Sequence, residues 1–321
     1  MAEPITGGTG STQTGNQDRP CDPDDLRLLA RLEGTWKNEP ELRGRGWNMI
    51  ALPFATQGTP FNFRLLLNQY DETLTFENVG GCIPNRGIEI SGNGAVDTDQ
   101  FIAGLDYQQS IAQIHAEDRP ASGRAGERGD PIHHEPGLFL AMKNHTTRGH
   151  DIARLGTIPH GNALLALGNS SEIEGPPVIP DISGLPIGVD QDLNGKYLEP
   201  YRHYRDDPFR GRFDPTRPNA LLRFANARVD IARTTQFEFD STAASGGILN
   251  IPFIERQADT TEVRATFWVQ ELEPRHAGAK PELRLQYSQV VMLDFFDRTD
   301  GEPGLIKWPH VSINTMVKVE D

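Results

Sequence analysis

Cysteine, long apolar runs and basic clusters are what this chain has least of. Its two cysteines, Cys21 and Cys82, are too few for a disulfide framework, and neither sits in a Cys-x-x-Cys or Cys/His pattern at zinc spacing. Both are expected as free thiols in a reducing cytoplasm. No apolar run approaches the ~18 residues that mark a membrane-spanning helix. The opening residues, MAEPITGG, have neither a positive start nor an apolar middle, so no signal peptide is expected. Basic residues are outnumbered, giving a net charge of −14 and a pI near 5.1. This argues against nucleic acid or an anionic membrane as partner, and the acidic surface leaves a homo-oligomer open. Three motifs are missing as well: the Gly-x-Ser-x-Gly nucleophile elbow, the phosphate-binding P-loop and the strand–Gly-x-Gly-x-x-Gly–helix unit. Gly44-Arg45-Gly46-Trp47 is too short for the last. Hydrolase and nucleotide-binding readings therefore find no support.

What the chain does have is turn formers, with 32 Gly and 24 Pro among 321 residues. Residues 1–21 are Gly, Thr, Ser, Gln and Asn with little to bury, and are expected to be a disordered tail. Residues 22–321 are expected to form one domain. It opens with a helix of about ten residues: Asp22 caps, Pro23 starts the first turn, Leu26, Leu29 and Ala30 form an apolar stripe, and Gly34 ends it. From Trp36 the hydrophobic period becomes two. Phe61, Phe63, Leu65 and Leu67 alternate, and Leu74 and Phe76 follow after a turn expected at Asp71-Glu72. Further strands are expected at 88–90, 101–114, 137–142, 163–167, 229–239, 263–269 and 283–295. The fold class is all-β: an antiparallel barrel of about ten strands, with a short N-terminal helix and long loop insertions. Two segments break the rhythm. Residues 116–132 read as a polar loop. Residues 169–222 read as a loop-rich excursion: an ordered surface segment, a lid over the barrel mouth, or a subunit contact.

Six of nine histidines fall between 115 and 160, namely His115, His133, His134, His145, His150 and His160; the others are His203, His276 and His310. The stretch 306–319 reads I-K-W-P-H-V-S-I-N-T-M-V-K-V. A stiff Pro309 before His310 and a strand after it fix the imidazole well enough to serve as a metal or heme ligand. At the other end, Gly34-Thr35-Trp36 opens the first strand.

Gly-x-Trp at a first barrel strand resembles the signature of lipocalins and their calycin relatives. Trp308-Pro309-His310-Val311-Ser312-Ile313 resembles the Pro-His segment of the nitrobindin family of heme-binding β-barrels. By that resemblance His310 is the axial ligand of heme b. His133-His134-Glu135-Pro136-Gly137 matches the family's His-x-Glu-x-Gly, placed before a strand on the distal face, which implies a catalytic role for His133 and a lining role for Ile132. Met292 is implied as a further lining residue, and Trp36 as the residue closing the floor. The resemblance covers pieces totalling about half the chain, in the family's order; the excess is mainly the two loops and residues 297–305. The implied activity is NO binding, peroxynitrite isomerisation or a peroxidase-like reaction, with His160 a less favoured distal base. Arg154 and Arg233 would be charge stabilisers, or else surface or strand-edge ion pairs.

One tension lies in the last strand. Strict alternation puts His310 with Ser312, Asn314 and Met316, opposite the more apolar Val311, Ile313, Val317 and Val319. Three resolutions are open: a strand starting after His310, a bulge, or a barrel whose interior is the mixed face, with the apolar face covered by the N-terminal helix or the excursion. Two rival functions also stand. One is a non-heme carrier whose Phe, Leu and Met pocket takes a small apolar ligand. The other is a metal-dependent enzyme built on the histidines between 133 and 160.

Overall fold

The computed structural model describes residues 23–39, 41–53, 63–79, 83–85, 87–92, 94–97, 100–142, 149–274, 276 and 278–319. The tail expected at 1–21, with Cys21, and also Cys82 and His145, lie outside the described residues. Fifteen strands are described: β1 Gly34–Lys37, β2 Gly46–Leu52, β3 Arg64–Asn78, β4 Ile83–Asn85, β5 Ile88–Ser91, β6 Gly94–Asp97, β7 Gln100–Arg119, β8 Pro131–Ala141, β9 Ile152–Gly156, β10 Ala163–Glu174, β11 Ile231–Asp240, β12 Gly247–Leu249, β13 Asp259–Leu272, β14 Leu283–Asp297 and β15 Leu305–Val319.

Ten of them close an antiparallel barrel in the order β2-β3-β7-β8-β9-β10-β11-β13-β14-β15, with β15 pairing back to β2. The expected all-β barrel of about ten strands is therefore present. β1 shares the gap that β2 occupies: it pairs Trp36 with Leu74 of β3 and Thr35 with Val319 of β15. Two short strands thus make one stave of the wall.

Two local expectations are corrected. The N-terminal helix is a 3-10 segment, Pro23–Arg31, broken at Arg27 by a positive φ of 50°. It still buries Leu26 and Leu29, and Leu32 just after it is buried too. There is no turn at Asp71-Glu72: β3 runs straight through, with only a register shift between Gln69 and Tyr70. Glu72 consequently points inward and is 3% exposed.

The barrel interior is divided along its axis. One half is solid and aromatic: Phe139 packs edge-on to Tyr107, Phe239 and Phe267 at 4.8–5.4 Å. Trp36 is also fully buried, its indole donating to the Leu32 carbonyl at 2.7 Å. The other half is open and lined by mixed polar and apolar groups.

The outside of β2, β3 and β15 is the apolar face, carrying Trp47, Met49, Leu65, Leu67, Val311 and Ile313, all buried. Its cover is the connection from β10 to β11, residues 175–230. That connection contains helices α1 Glu199–Asp206 and α2 Ala220–Asn226. Phe213 stacks on Trp47 at 5.8 Å, with Phe209 edge-on at 6.0 Å. Gly184 sits so close to Met49 Sδ and the Pro215 carbonyl that a Cβ there would collide with both. Polar ties hold the layer down: Ser288 Oγ donates to Asn219 Oδ1 at 2.8 Å, and Arg284 Nη2 to Asn226 Oδ1 at 2.6 Å. The excursion expected at 169–222 is therefore a second layer on the barrel wall. It starts later than expected because β10 continues to Glu174.

Candidate functional site

The open half of the barrel holds a cavity of about 300 Å³, into which β2, β3, β7, β8, β14 and β15 each send side chains. Its apolar wall comes from Ile50, Leu52, Leu66, Ile111, Ile132 and Ile158, and its polar wall includes amides, two tyrosines and two histidines. The histidines are His133 and His310.

His310 reaches the cavity because β15 is regular through Pro309 and His310 and pairs Val291 with His310. Ser312 and Asn314 follow on the same inward face. Of the three resolutions, the mixed interior is the one observed, and the covering layer is the excursion. His310 Nε2 lies 2.7 Å from Asn48 Oδ1. Its Nδ1 makes no hydrogen bond among the described residues. Burial, helped by the neighbouring His133, pushes the imidazole down to about 3, so His310 is neutral at ordinary pH.

His133 enters from β8, which begins at Pro131; the His133 to Gly137 stretch expected before a strand is inside one. His133 Nε2 lies 3.2 Å from Glu135 Oε2. Its ring packs against His160 at 4.8 Å, and His160 Nε2 accepts the His134 backbone N–H at 3.2 Å. Burial alone would raise Glu135, but the Arg154 guanidinium, with hydrogen bonds from His133 and Tyr107, holds it below the usual carboxylate range. Arg154 Nη2 donates to Glu135 Oε1 at 3.0 Å and Nη1 to Gln289 Oε1 at 2.7 Å, while Tyr107 donates to Glu135. Arg154, read from sequence as a charge stabiliser or a surface pair, is a fully buried cation under the cavity floor. Arg233 lies on the outer wall between Glu172 and Glu174, as in its ordinary reading.

Gly137 and Gly156 make this cluster fit. A Cβ at Gly137 would strike the Tyr107 ring and the Leu155 carbonyl, and one at Gly156 would strike the Tyr107 hydroxyl and Glu135 Oε1. The Glu-Pro-Gly spacing thus seats the carboxylate and clears room for the phenol that donates to it.

A second polar cluster was not foreseen. Glu72 Oε2 accepts from Tyr287 Oη at 2.7 Å and Asn314 Nδ2 at 2.8 Å, and Oε1 accepts from Gln109 Nε2 at 2.6 Å. Tyr287 also meets Tyr70 Oη at 2.8 Å. Tyr70 lies over the bare backbone of Gly46, which leaves no room for a Cβ. Burial raises Glu72, and the three donors only partly offset this. Tyr70, Tyr287 and Gln109 line the cavity in front of it. A continuous strand pattern through Asp71-Glu72 was the available signal, masked by two acidic residues that read as a turn.

Two expected lining residues lie elsewhere. Met292 pairs with Pro309 on the opposite face and lines a separate outer cleft of about 510 Å³. Trp36, implied as the residue closing the floor, is fully buried in the core and does not line this cavity. Ile132 does line the cavity. Among the described residues no group of three or more His, Cys, Asp or Glu is placed to hold a metal ion. No family model, curated protein or solved structure matches this chain.

Proposed function

We propose that the open half of the barrel binds heme b, with His310 the residue that would hold its iron, and that the chain acts, as nitrobindin-like barrels do, on small reactive nitrogen or oxygen species. The observation that carries this is the state of His310: a neutral imidazole on a cavity of mixed polar and apolar wall, with Nε2 facing Asn48 and Nδ1 without a hydrogen bond among the described residues. Metal-ligating histidines usually engage their second nitrogen in this way. The cavity volume is at the lower end of the range for ligand sites, ~300–1,000 Å³.

Heme held there would supply an iron centre able to take up a small ligand. The protein's own groups do the rest. His310 is held at one angle by Asn48. Ile50, Leu66, Ile111 and Ile158 give the cavity its apolar wall. His133, oriented by Glu135 through Nε2, is the group able to give or take a proton there. Arg154 keeps Glu135 ionised for that task. NO binding, peroxynitrite isomerisation and peroxide chemistry all draw on these parts. A carrier for a small apolar molecule fits less well, because the phenylalanines fill the closed half and the cavity wall bears Asn48, Asn68, Gln109, Gln113 and Gln289.

Hemin titrated into the purified chain should give a Soret band and a ferric spectrum with one histidine. His310→Ala should abolish the histidine-ligated spectrum; unchanged affinity and spectrum would sink the heme reading. His133→Gln should leave hemin bound and slow peroxynitrite decay by roughly 10²-fold. An unchanged decay rate removes His133 from the chemistry.

A further inference from the structure

Three amide side chains connect the β7–β8 loop to His310. Gln113 Nε2 donates to the Glu127 backbone carbonyl at 2.9 Å. Asn68 Nδ2 donates to Gln113 Oε1 at 2.6 Å, and Asn48 Nδ2 to Asn68 Oδ1 at 3.1 Å. Asn48 Oδ1 then faces His310 Nε2 at 2.7 Å and also accepts from Ser312 Oγ at 3.3 Å. The direction of this chain is set at its loop end. A backbone carbonyl only accepts, so Gln113 must turn its NH2 to Glu127 and its oxygen to Asn68. Each amide has one donating and one accepting end, so the polarity passes link by link. An oxygen arriving at Nε2 requires the proton there and leaves the lone pair on Nδ1.

The loop is fastened for this. Gln113 N–H donates to the Asp130 carbonyl at 2.9 Å, and Gly129 N–H to the Gln113 carbonyl at 2.8 Å. Gly126, at φ +96°, lies so close over Gln113 that a Cβ would stand 2.8 Å from Nε2. Ala125 of the same loop lines the cavity.

We infer that Glu127, Gln113, Asn68 and Asn48 form a positioning relay that fixes His310 as the Nε2–H tautomer, so that Nδ1 is the atom presented to an electron-pair acceptor. As applied to heme iron, this rests on the reading above. The tautomer itself does not, and it is measured without ligand.

Long-range 1H–15N correlation on the labelled, heme-free chain should show His310 protonated at Nε2 only. Asn68→Leu, which breaks the relay while keeping the volume, should give a mixture of tautomers. Asn68→Asp, which still accepts from Asn48 Nδ2, should retain the Nε2–H form. His160, set independently by the His134 N–H, should stay protonated at Nδ1 throughout and reports that each variant is folded. If Asn68→Leu loses the His160 signature, Gln113→Leu takes its place with the same expectation. An Nδ1–H form of His310 in the unsubstituted chain overturns the inference, as does a folded Asn68→Leu or Gln113→Leu chain with an unchanged His310. With hemin, Asn68→Leu should bind about 10–100-fold more weakly and Asn68→Asp normally. The relay with no hemin binding in any variant would remove the heme reading and leave the tautomer assignment standing.

Discussion

At the scale of single residues, the barrel treats its two buried acids differently. Glu135 has a cation and is held ionised; Glu72 has only neutral donors and is pushed up. Removing the cation should be costly, because a buried charge without its partner forfeits about 3–5 kcal/mol. Arg154→Met is expected to lose that much in urea unfolding, and the double change Arg154→Met with Glu135→Gln to recover most of it. A single variant within 1 kcal/mol of the parent chain would mean that Glu135 is not ionised in the fold. Legibility differed in the same way. Glu135 lay inside the His133 to Gly137 stretch that the resemblance picked out for His133, with no role of its own foreseen, while His310 was marked by the proline before it. Glu72 was hidden because local turn propensity outweighed the period-two pattern on either side. Arg154 was named only as a charge stabiliser or a surface pair, and nothing signalled its burial: its partners lie on β7, β8 and β14, so that burial is a property of barrel closure.

At the scale of elements, β15 shows what alternation can and cannot say. Its two faces were legible, but which one looks inward was not. That depends on Phe209, Phe213 and Leu222, which are distant in sequence and cover the outer wall. The Pro- and Gly-rich composition of 175–230 disguised this, since it reads as loop while in fact placing aromatic anchors. Truncating such an anchor costs about 3–5 kcal/mol. Phe213→Ala should therefore destabilise the chain by that amount and shift Trp47 emission to the red, with hemin affinity unaltered because the cavity is on the other side of the wall. Loss of hemin affinity without loss of stability would place the layer in the site instead.

At the scale of the molecule, two buried groups set opposing pH dependences. His310 is depressed below its ordinary 6.5. The unfolded chain takes up this proton near 6.5 and the folded chain does not, so the stability His310 contributes is complete above 6.5 and lost as pH falls toward 3. The loss is at most on the order of 5 kcal/mol. Glu72 is raised, so the folded chain keeps its proton to higher pH than the unfolded one. Its contribution is complete below 4.5 and lost as pH rises through the folded value. Stability should therefore fall on acidification from pH 6.5, more gently while Glu72 compensates and more steeply below 4.5. His310→Gln should flatten the acid limb and Glu72→Gln steepen its upper part. Thermal midpoints measured across that range decide it, and parallel curves for parent and His310→Gln would refute the assignment. The strand count made closure legible at this scale, but not the axial division into a packed half and an open one.

The stave shared by β1 and β2 has a consequence for the order of events during synthesis. Both strands are made early, yet each takes β15 as its neighbour, and β15 is the last barrel strand in the chain. Until residues 305–319 emerge, the sheet has two raw edges, at β14 and at the β1–β2 stave. A single strand then seals the sheet and delivers the imidazole. If the cavity takes the proposed ligand, a nascent chain therefore offers it no half-built site: ring closure and completion of the cavity wall arrive together.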